Sequence, residues 1–292
     1  MRLAAIDIGS NAARLLIQEV THPESGSPVF SKLNLIRIPL RLGFDVFREG
    51  SIGKEKADEL LKTMQVYKIA MEIHQVAHYR ACATSAMRDA ANGAQLIDMI
   101  KAHTGIDIEI ISGSEEAQII YENHLNANIN HRGRYLYIDV GGGSTEITLM
   151  KKDEIIFKES FNIGTIRLLN RQISDKQWAT MKDTLKEITK GIPALQAIGS
   201  GGNINKVFSL TKSKENKPLL LGTLQTMYKS MSAMTVAERM NKYQLKEDRA
   251  DVIVPALKVY TNIMKWAGIE EILVPRIGVA DGIIKLLYEK LK

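Results

Sequence analysis

Along the first part of the chain, apolar and polar positions follow a strand pattern. "RLAAIDIGS" is a short β-rich run ending in Gly-Ser-Asn, and "ARLLIQEV" resumes it. After the turn cluster "THPESGSP", "VFSKLNLIRIPLRL" reads as the third strand of a meander. From Lys54 to His74 the period changes. Leu60, Met64, Tyr67 and Met71 recur at helical spacing and predict an amphipathic helix. "HYRACATSAM" predicts a strand entering a polar loop. "NGAQLIDMIKAHTG" predicts a helix closed by Gly105, a residue suited to a left-handed C-cap. "IDIEIIS" is another strand, and Ser112 or Ser114 is placed to cap the helix "EEAQIIYENHL".

After a short polar linker near residues 126–134 the pattern begins again. "YLYIDVGGG" and "STEITLMK" give a strand, a glycine loop and a strand, and "EIIFKESFN" gives a third strand. "QISDKQWATMKDTLKEITKGI" is helical, and "ALQAIGSGG" is a strand ending in glycines. Residues 260–266 and 283–291 read as helices. One plan therefore occurs twice: a meander opened by an Asp-x-Gly strand end, then helix, strand and helix. Asp7 and Asp139, the two aspartates, lie 132 residues apart. The expectation is an α/β chain of two like domains, residues 1–125 and 126–280.

Composition sharpens this only a little. Of 292 residues, 45% are apolar and 25% charged, as in ordinary globular proteins. The formal charge of +6 is scattered, and no run of five basic residues marks a nucleic-acid tract. A modest positive balance suits a small polyanionic substrate. The single cysteine, Cys82, excludes a disulfide framework within the chain and a thiolate metal cluster. No uncharged run approaches ~18 residues, so no membrane span is expected, and a reducing cytoplasm is the natural location.

The candidate chemistry sits at the strand ends. In "DVGGGSTE", glycines let backbone N–H groups close on a phosphate and form a nest of donors. Ser144 and Thr145 add hydroxyls, while Asp139 and Glu146 are hard oxygen ligands suited to Mg²⁺ beside substrate phosphates. The alternative is a tight hairpin with polar caps. "DIGSN", Asp7 to Asn11, would form a matching phosphate loop. Arg14 either aims at a phosphate or lies on the outer strand face. Arg88, near Thr84 and Ser85, is either a bidentate phosphate ligand or a surface charge starting a helix. Glu115 and Glu116 suit a helix start through the dipole, or one of them is a general base; their chemistry alone does not choose. "AIGSGG" is a substrate loop or a sharp turn. No histidine pair has convincing metal spacing, and Cys82 reads as a small buried residue.

These loops carry a resemblance. "AIDIGSNAARL", "ACATSAMRDAAN", "ISGSEEAQIIY", "IDVGGGSTEI", "FNIGTIRL", "AIGSGGNINKV" and "RADVIVPALKVY" occur in the order seen in the exopolyphosphatase / guanosine pentaphosphate phosphohydrolase family, within the actin–sugar kinase–Hsp70 superfamily. The chain resembles the short, two-domain members. The resemblance implies two actin-like (ribonuclease H-like) domains, each a mixed five-stranded sheet with helices, facing across a cleft. It also implies a last helix, about 281–292, that returns to the first domain. It implies Glu116 as catalytic base, Asp139 and Glu146 as metal-associated acids, and Mg²⁺ or another divalent cation as cofactor. Phosphate binding falls to Gly9, Ser10, Asn11, Arg14, Arg88, Gly141, Gly142, Gly143, Ser144 and Thr145. The implied substrate is polyphosphate or guanosine pentaphosphate, without nucleic acid or membrane partners, and with a homodimer left open. Two departures bear on substrate binding. Ala12 stands where the family has a hydroxyl residue, and Val279 to Gly282 replaces a Leu-Arg-Glu-Gly pattern. An ATP-dependent kinase of the same superfamily and a non-catalytic alarmone sensor are the rival readings.

Overall fold

The computed structural model describes residues 1–24, 26–124, 133–152, 154–214, 217–275 and 278–292. The expected linker at 126–134 lies almost entirely outside them. The chain separates into two compact units, Met1–Asn123 with Val279–Lys292, and His124–Gly278.

In the first unit, β1 (Arg2–Ile8), β2 (Ala13–Thr21) and β3 (Val29–Ile38) form the antiparallel meander. β4 (His78–Ala83) pairs parallel to β1, and β5 (Ile108–Ile110) parallel to β4. The sheet order is β3-β2-β1-β4-β5. The helix Lys54–Ile73 turns Leu60, Met64, Tyr67 and Met71 into the core, as its spacing requires. The helix Gly93–Thr104 ends at Gly105 in the left-handed conformation, φ 74°. The segment after β4 is a short helix, Ser85–Asp89, rather than a polar loop. The helix Leu42–Glu49 was not marked by the pattern either, because it begins where "IPLRLG" still reads as strand.

The helix Val279–Lys290 completes this unit. Ile283, Ile284 and Tyr288 pack with Leu3, Ala5, Leu16 and Cys82 on one sheet face and with Ile119 of the helix Gly113–His124. Each leucine or isoleucine among them contributes about 1.5–3 kcal/mol by leaving water. Gly282 makes the approach possible, since a Cβ there would lie 2.1 Å from the Ile119 carbonyl oxygen.

The second unit repeats the plan. β6 (Arg134–Val140), β7 (Thr145–Lys151) and β8 (Glu154–Phe161) form the meander, and β9 (Gln196–Ser200) runs parallel to β6. This sheet has six strands where five were expected. β10 (Leu219–Leu220) pairs antiparallel with β11 (Glu271–Leu273), which adds to β9, giving the order β10-β11-β9-β6-β7-β8. The extra strand is two residues long, too short to produce an alternation. Leu136, Ile138, Ile147 and Leu149 share a core with Met181 and Leu185 of the helix Asp175–Thr189 and Leu257, Tyr260 and Met264 of the helix Ile253–Ala267.

Candidate active site

The end of β1 turns on itself within four residues. Gly9 N–H donates to the Ala12 carbonyl (3.1 Å), making a two-residue reversal at Ser10 and Asn11. The start of the helix Leu42–Glu49 holds that turn from behind. Gly43 N–H donates to the Ser10 carbonyl (2.8 Å) and Arg41 N–H to that of Asn11 (3.0 Å). The Ser10 hydroxyl meets the Ser85 hydroxyl at 2.8 Å, joining the turn to the helix that carries Arg88. Arg88 Nη1 donates to the Ile111 carbonyl (2.9 Å), immediately before the helix that carries Glu116. Ser112 caps that helix, its hydroxyl accepting from Glu115 N–H at 3.1 Å. Gly9, Ser10, Arg88 and Glu116 are thus linked through short contacts in one unit.

Burial separates the two glutamates. Glu116 is 9% exposed, while the Glu115 side chain, 45% exposed, pairs with Arg80 at 2.9 Å. Arg80 also forks onto Glu109 at 2.7 and 3.1 Å, which keeps its guanidinium charged. Glu115 is a surface anchor, and Glu116 is the carboxylate turned inward. Arg14 stands opposite Asp7 across the β1–β2 ladder and forms an ion pair with it at 2.6 Å.

The second unit builds the same turn. Gly141 N–H donates to the Ser144 carbonyl (2.9 Å), leaving Gly142 and Gly143 at the tip. The start of the helix Thr165–Leu169 supports it. Thr165 N–H donates to Gly141 O (3.0 Å), Ile166 N–H to Gly142 O (2.9 Å), and Arg167 Nε to Gly143 O (2.8 Å). Asp139 and Glu146 face each other across the β6–β7 ladder, both buried. Ser200 donates to Asp139 Oδ2 at 2.8 Å. Ser144 and Ser160 both donate to Glu146 Oε1, at 2.7 and 2.8 Å. The Thr145 hydroxyl is turned away from the turn, donating to the Ile163 carbonyl. Gly201, at φ +97°, lets the next turn press on Asp139, because a Cβ there would lie 2.7 Å from Oδ1. Beneath these groups the Tyr260 hydroxyl donates to the Ser200 carbonyl at 2.6 Å. Full burial, and then the Asp139 charge, push its pKa well above the ordinary phenol value, so it stays neutral.

Two buried carboxylates and three serine hydroxyls make a hard oxygen donor set, which fits Mg²⁺. Among the described residues no group of three His, Cys, Asp or Glu side chains surrounds a metal position. A cation here would therefore complete its shell with water and phosphate oxygens, the usual habit of Mg²⁺.

The profile of the Ppx/GppA phosphatase family matches residues 23–291. The chain belongs to the Ppx/GppA phosphatase family. This Ppx/GppA chain is 27% identical over 297 residues to a bifunctional 3-dehydroquinate synthase/phosphatase of Fusobacterium nucleatum, with 93% of the chain aligned to 44% of that protein. It spans less than half of that relative. It is 26% identical over 306 residues to exopolyphosphatase 1 of Mycobacterium tuberculosis, covering 97% of the chain and 87% of the relative. Its fold matches the crystal structure of an exopolyphosphatase from Cytophaga hutchinsonii with a TM-score of 0.87, at 26% identity over 100% of this chain and 99% of that one. Membership makes the chain a hydrolase by class, and among its described residues no helix is long and apolar enough to cross a membrane.

Ser160 and Arg80 support the candidate site and show in no local sequence pattern. Ser160 lies fourteen residues beyond Glu146, and only the β7–β8 register, Glu146 opposite Ser160, brings them together. Ser200 ends β9 beside Asp139, in the "AIGSGG" turn whose role was open. Arg80 precedes Glu115, the glutamate it holds at the helix start, by 35 residues. Of the two departures, Ala12 is buried in the β1–β2 turn, and Ala280 lies in the apolar cluster under the C-terminal helix.

Proposed function

We propose that this chain releases orthophosphate from the end of a phosphoanhydride chain, either inorganic polyphosphate or the 5′-phosphates of pppGpp. The observation that carries the reading is the buried pair Asp139 and Glu146, opposite one another at the root of a glycine turn whose carbonyls are already bonded from behind. Two like charges placed opposite each other destabilise a sheet unless a cation lies near. The glycine turn beside them offers amide donors to an anion. A cation and a polyanion are together the natural occupants.

In this reading the turns at Gly9–Asn11 and Gly141–Gly143 bind phosphate oxygens through their amides. Arg14 and Arg88 supply guanidinium donors. Asp139 and Glu146 would hold Mg²⁺, which neutralises charge on the phosphate oxygens. Glu116 orients a water molecule and takes its proton as the water oxygen attacks the terminal phosphorus. The bond from that phosphorus to the bridging oxygen breaks, and the shortened chain leaves with the bridging oxygen. Positioning and electrostatics supply most of the acceleration in such transfers.

The test is a panel of long polyphosphate, tripolyphosphate and pppGpp with Mg²⁺, read as released phosphate beside Glu116→Ala. Release from at least one substrate, lost in the variant, is expected. No release from any of them by folded protein overturns the proposal.

A further inference from the structure

Three successive carbonyls of the Gly141–Ser144 turn are held from one side. Gly141 O accepts from Thr165 N–H at 3.0 Å, Gly142 O from Ile166 N–H at 2.9 Å, and Gly143 O from Arg167 Nε at 2.8 Å. In a trans peptide the C=O and the N–H that follows it point in opposite directions. Each held carbonyl therefore turns the next amide away from the helix Thr165–Leu169, so that Gly142, Gly143 and Ser144 present their N–H groups on the other side. Among the described residues none of these three amides donates to a backbone carbonyl. Successive amides presented in this way form a nest for an anion. The support lies close because residue 164 is glycine: a Cβ there would lie 2.3 Å from the Gly142 oxygen and 2.4 Å from the Gly143 carbonyl carbon.

The first unit holds its turn with backbone alone. Ser10 and Asn11 correspond to Gly142 and Gly143, 132 residues further on. Their carbonyls accept from the N–H groups of Gly43 and Arg41. In the second unit the carbonyl that matches Asn11 rests on a side chain instead. That carbonyl belongs to a glycine, whose backbone has the widest conformational freedom and the greatest need of a hold.

We propose that Arg167 is a positioning residue for phosphate binding, its Nε fixing the Gly143–Ser144 peptide so that the Ser144 N–H faces the bound anion. This rests on the phosphatase reading above and deepens it. Arg167 acts through the peptide and not by touching phosphate. Without its Nε the peptide is released to rotate, and the nest loses one directed donor. One charge-assisted hydrogen bond accounts for roughly a tenfold change in affinity.

The experiment adds tripolyphosphate and Mg²⁺ to the Glu116→Gln protein, alone and combined with Arg167→Met or Arg167→Lys. Calorimetry gives Kd, and backbone amide NMR follows Gly142, Gly143 and Ser144. In the parent all three amide protons are expected to move downfield on binding. In Arg167→Met the Kd should rise about tenfold and the Ser144 shift should be the one chiefly lost, with Gly142 still responding. Arg167→Lys, which keeps a donor, should recover part of both. If the methionine variant does not fold, the lysine variant carries the test with the same signs and smaller changes. An unchanged Kd overturns the proposal, even beside a lower Tm, because that is what a merely structural contact gives. A higher Kd with the Ser144 shift intact overturns it too. If Glu116→Gln binds no tripolyphosphate and the natural chain hydrolyses no substrate of the panel, the phosphatase reading fails first and the role of Arg167 falls with it.

Discussion

Glu146 stands across the β6–β7 ladder from Asp139 as Arg14 stands across the β1–β2 ladder from Asp7. The two positions correspond in the repeat, since 14 and 146 differ by the same 132 residues as 7 and 139. One half carries its own cation opposite the aspartate, and the other carries a second acid. In the proposed reading that asymmetry divides the labour between halves that share a backbone plan: the first would hold anions with arginine, and the second would recruit a metal ion.

Glu146→Gln removes one charge and keeps an oxygen for Ser144 and Ser160. With a chelator present, the variant is expected to melt about 1–3 °C above the parent, because a like-charged cross-strand pair costs up to about 1 kcal/mol. Adding Mg²⁺ should raise the Tm of the parent and leave that of the variant in place. Differential scanning fluorimetry distinguishes the two, and a lower Tm of the variant in chelator would contradict the argument.

The two glutamates at one helix start should behave differently. Glu116→Gln is expected to lower kcat by about 10²–10⁴, the usual size of a lost general base. Glu115→Gln breaks an exposed pair with Arg80 and should change kcat less than about threefold and stability by at most about 1 kcal/mol. Phosphate-release assays on both variants decide it, and equal losses would sink the assignment.

That distinction shows where sequence reasoning stops. The doubled meander, the amphipathic helix carrying Leu60, Met64, Tyr67 and Met71, and the left-handed close at Gly105 were legible because each is a local pattern. Glu115 and Glu116 have the same chemistry and the same neighbours in sequence. What separates them is Arg80, thirty-five residues away from Glu115, and no spacing announces that contact. Ser160 likewise meets Glu146 only through strand register. The β10–β11 extension and the helices from Leu221 to Ala250 went unread because they are short and answer to packing rather than to a clear period.

Ser160→Ala tests the support around Glu146. Removing one of two donors to Oε1 loosens the carboxylate without touching its charge. The Mg²⁺ concentration for half-maximal activity should rise about tenfold, as is usual when an outer hydrogen bond to a ligand is lost. An unchanged Mg²⁺ titration would show that Ser144 suffices.

Cys82 provides a pH signature. Burial pushes its thiol from the ordinary 9.0 up to about 12. Below pH 9 it is neutral in both folded and unfolded chains and adds no pH dependence. Between about pH 9 and 12 the unfolded chain loses the proton and the folded one keeps it, so stability falls as pH rises through that window. At pH 8 a thiol reagent should modify denatured protein quickly and native protein hardly at all. Rapid labelling of the native protein would contradict the burial of this thiol.

The C-terminal helix has a consequence for how the molecule is made. Residues 279–290 cover Leu3, Ala5 and Cys82, which leave the ribosome far earlier. Until the intervening unit has been translated, the N-terminal sheet keeps an oily face uncovered. The half synthesised first is therefore the half finished last, and a nascent chain stalled before Gly282 should be a chaperone client.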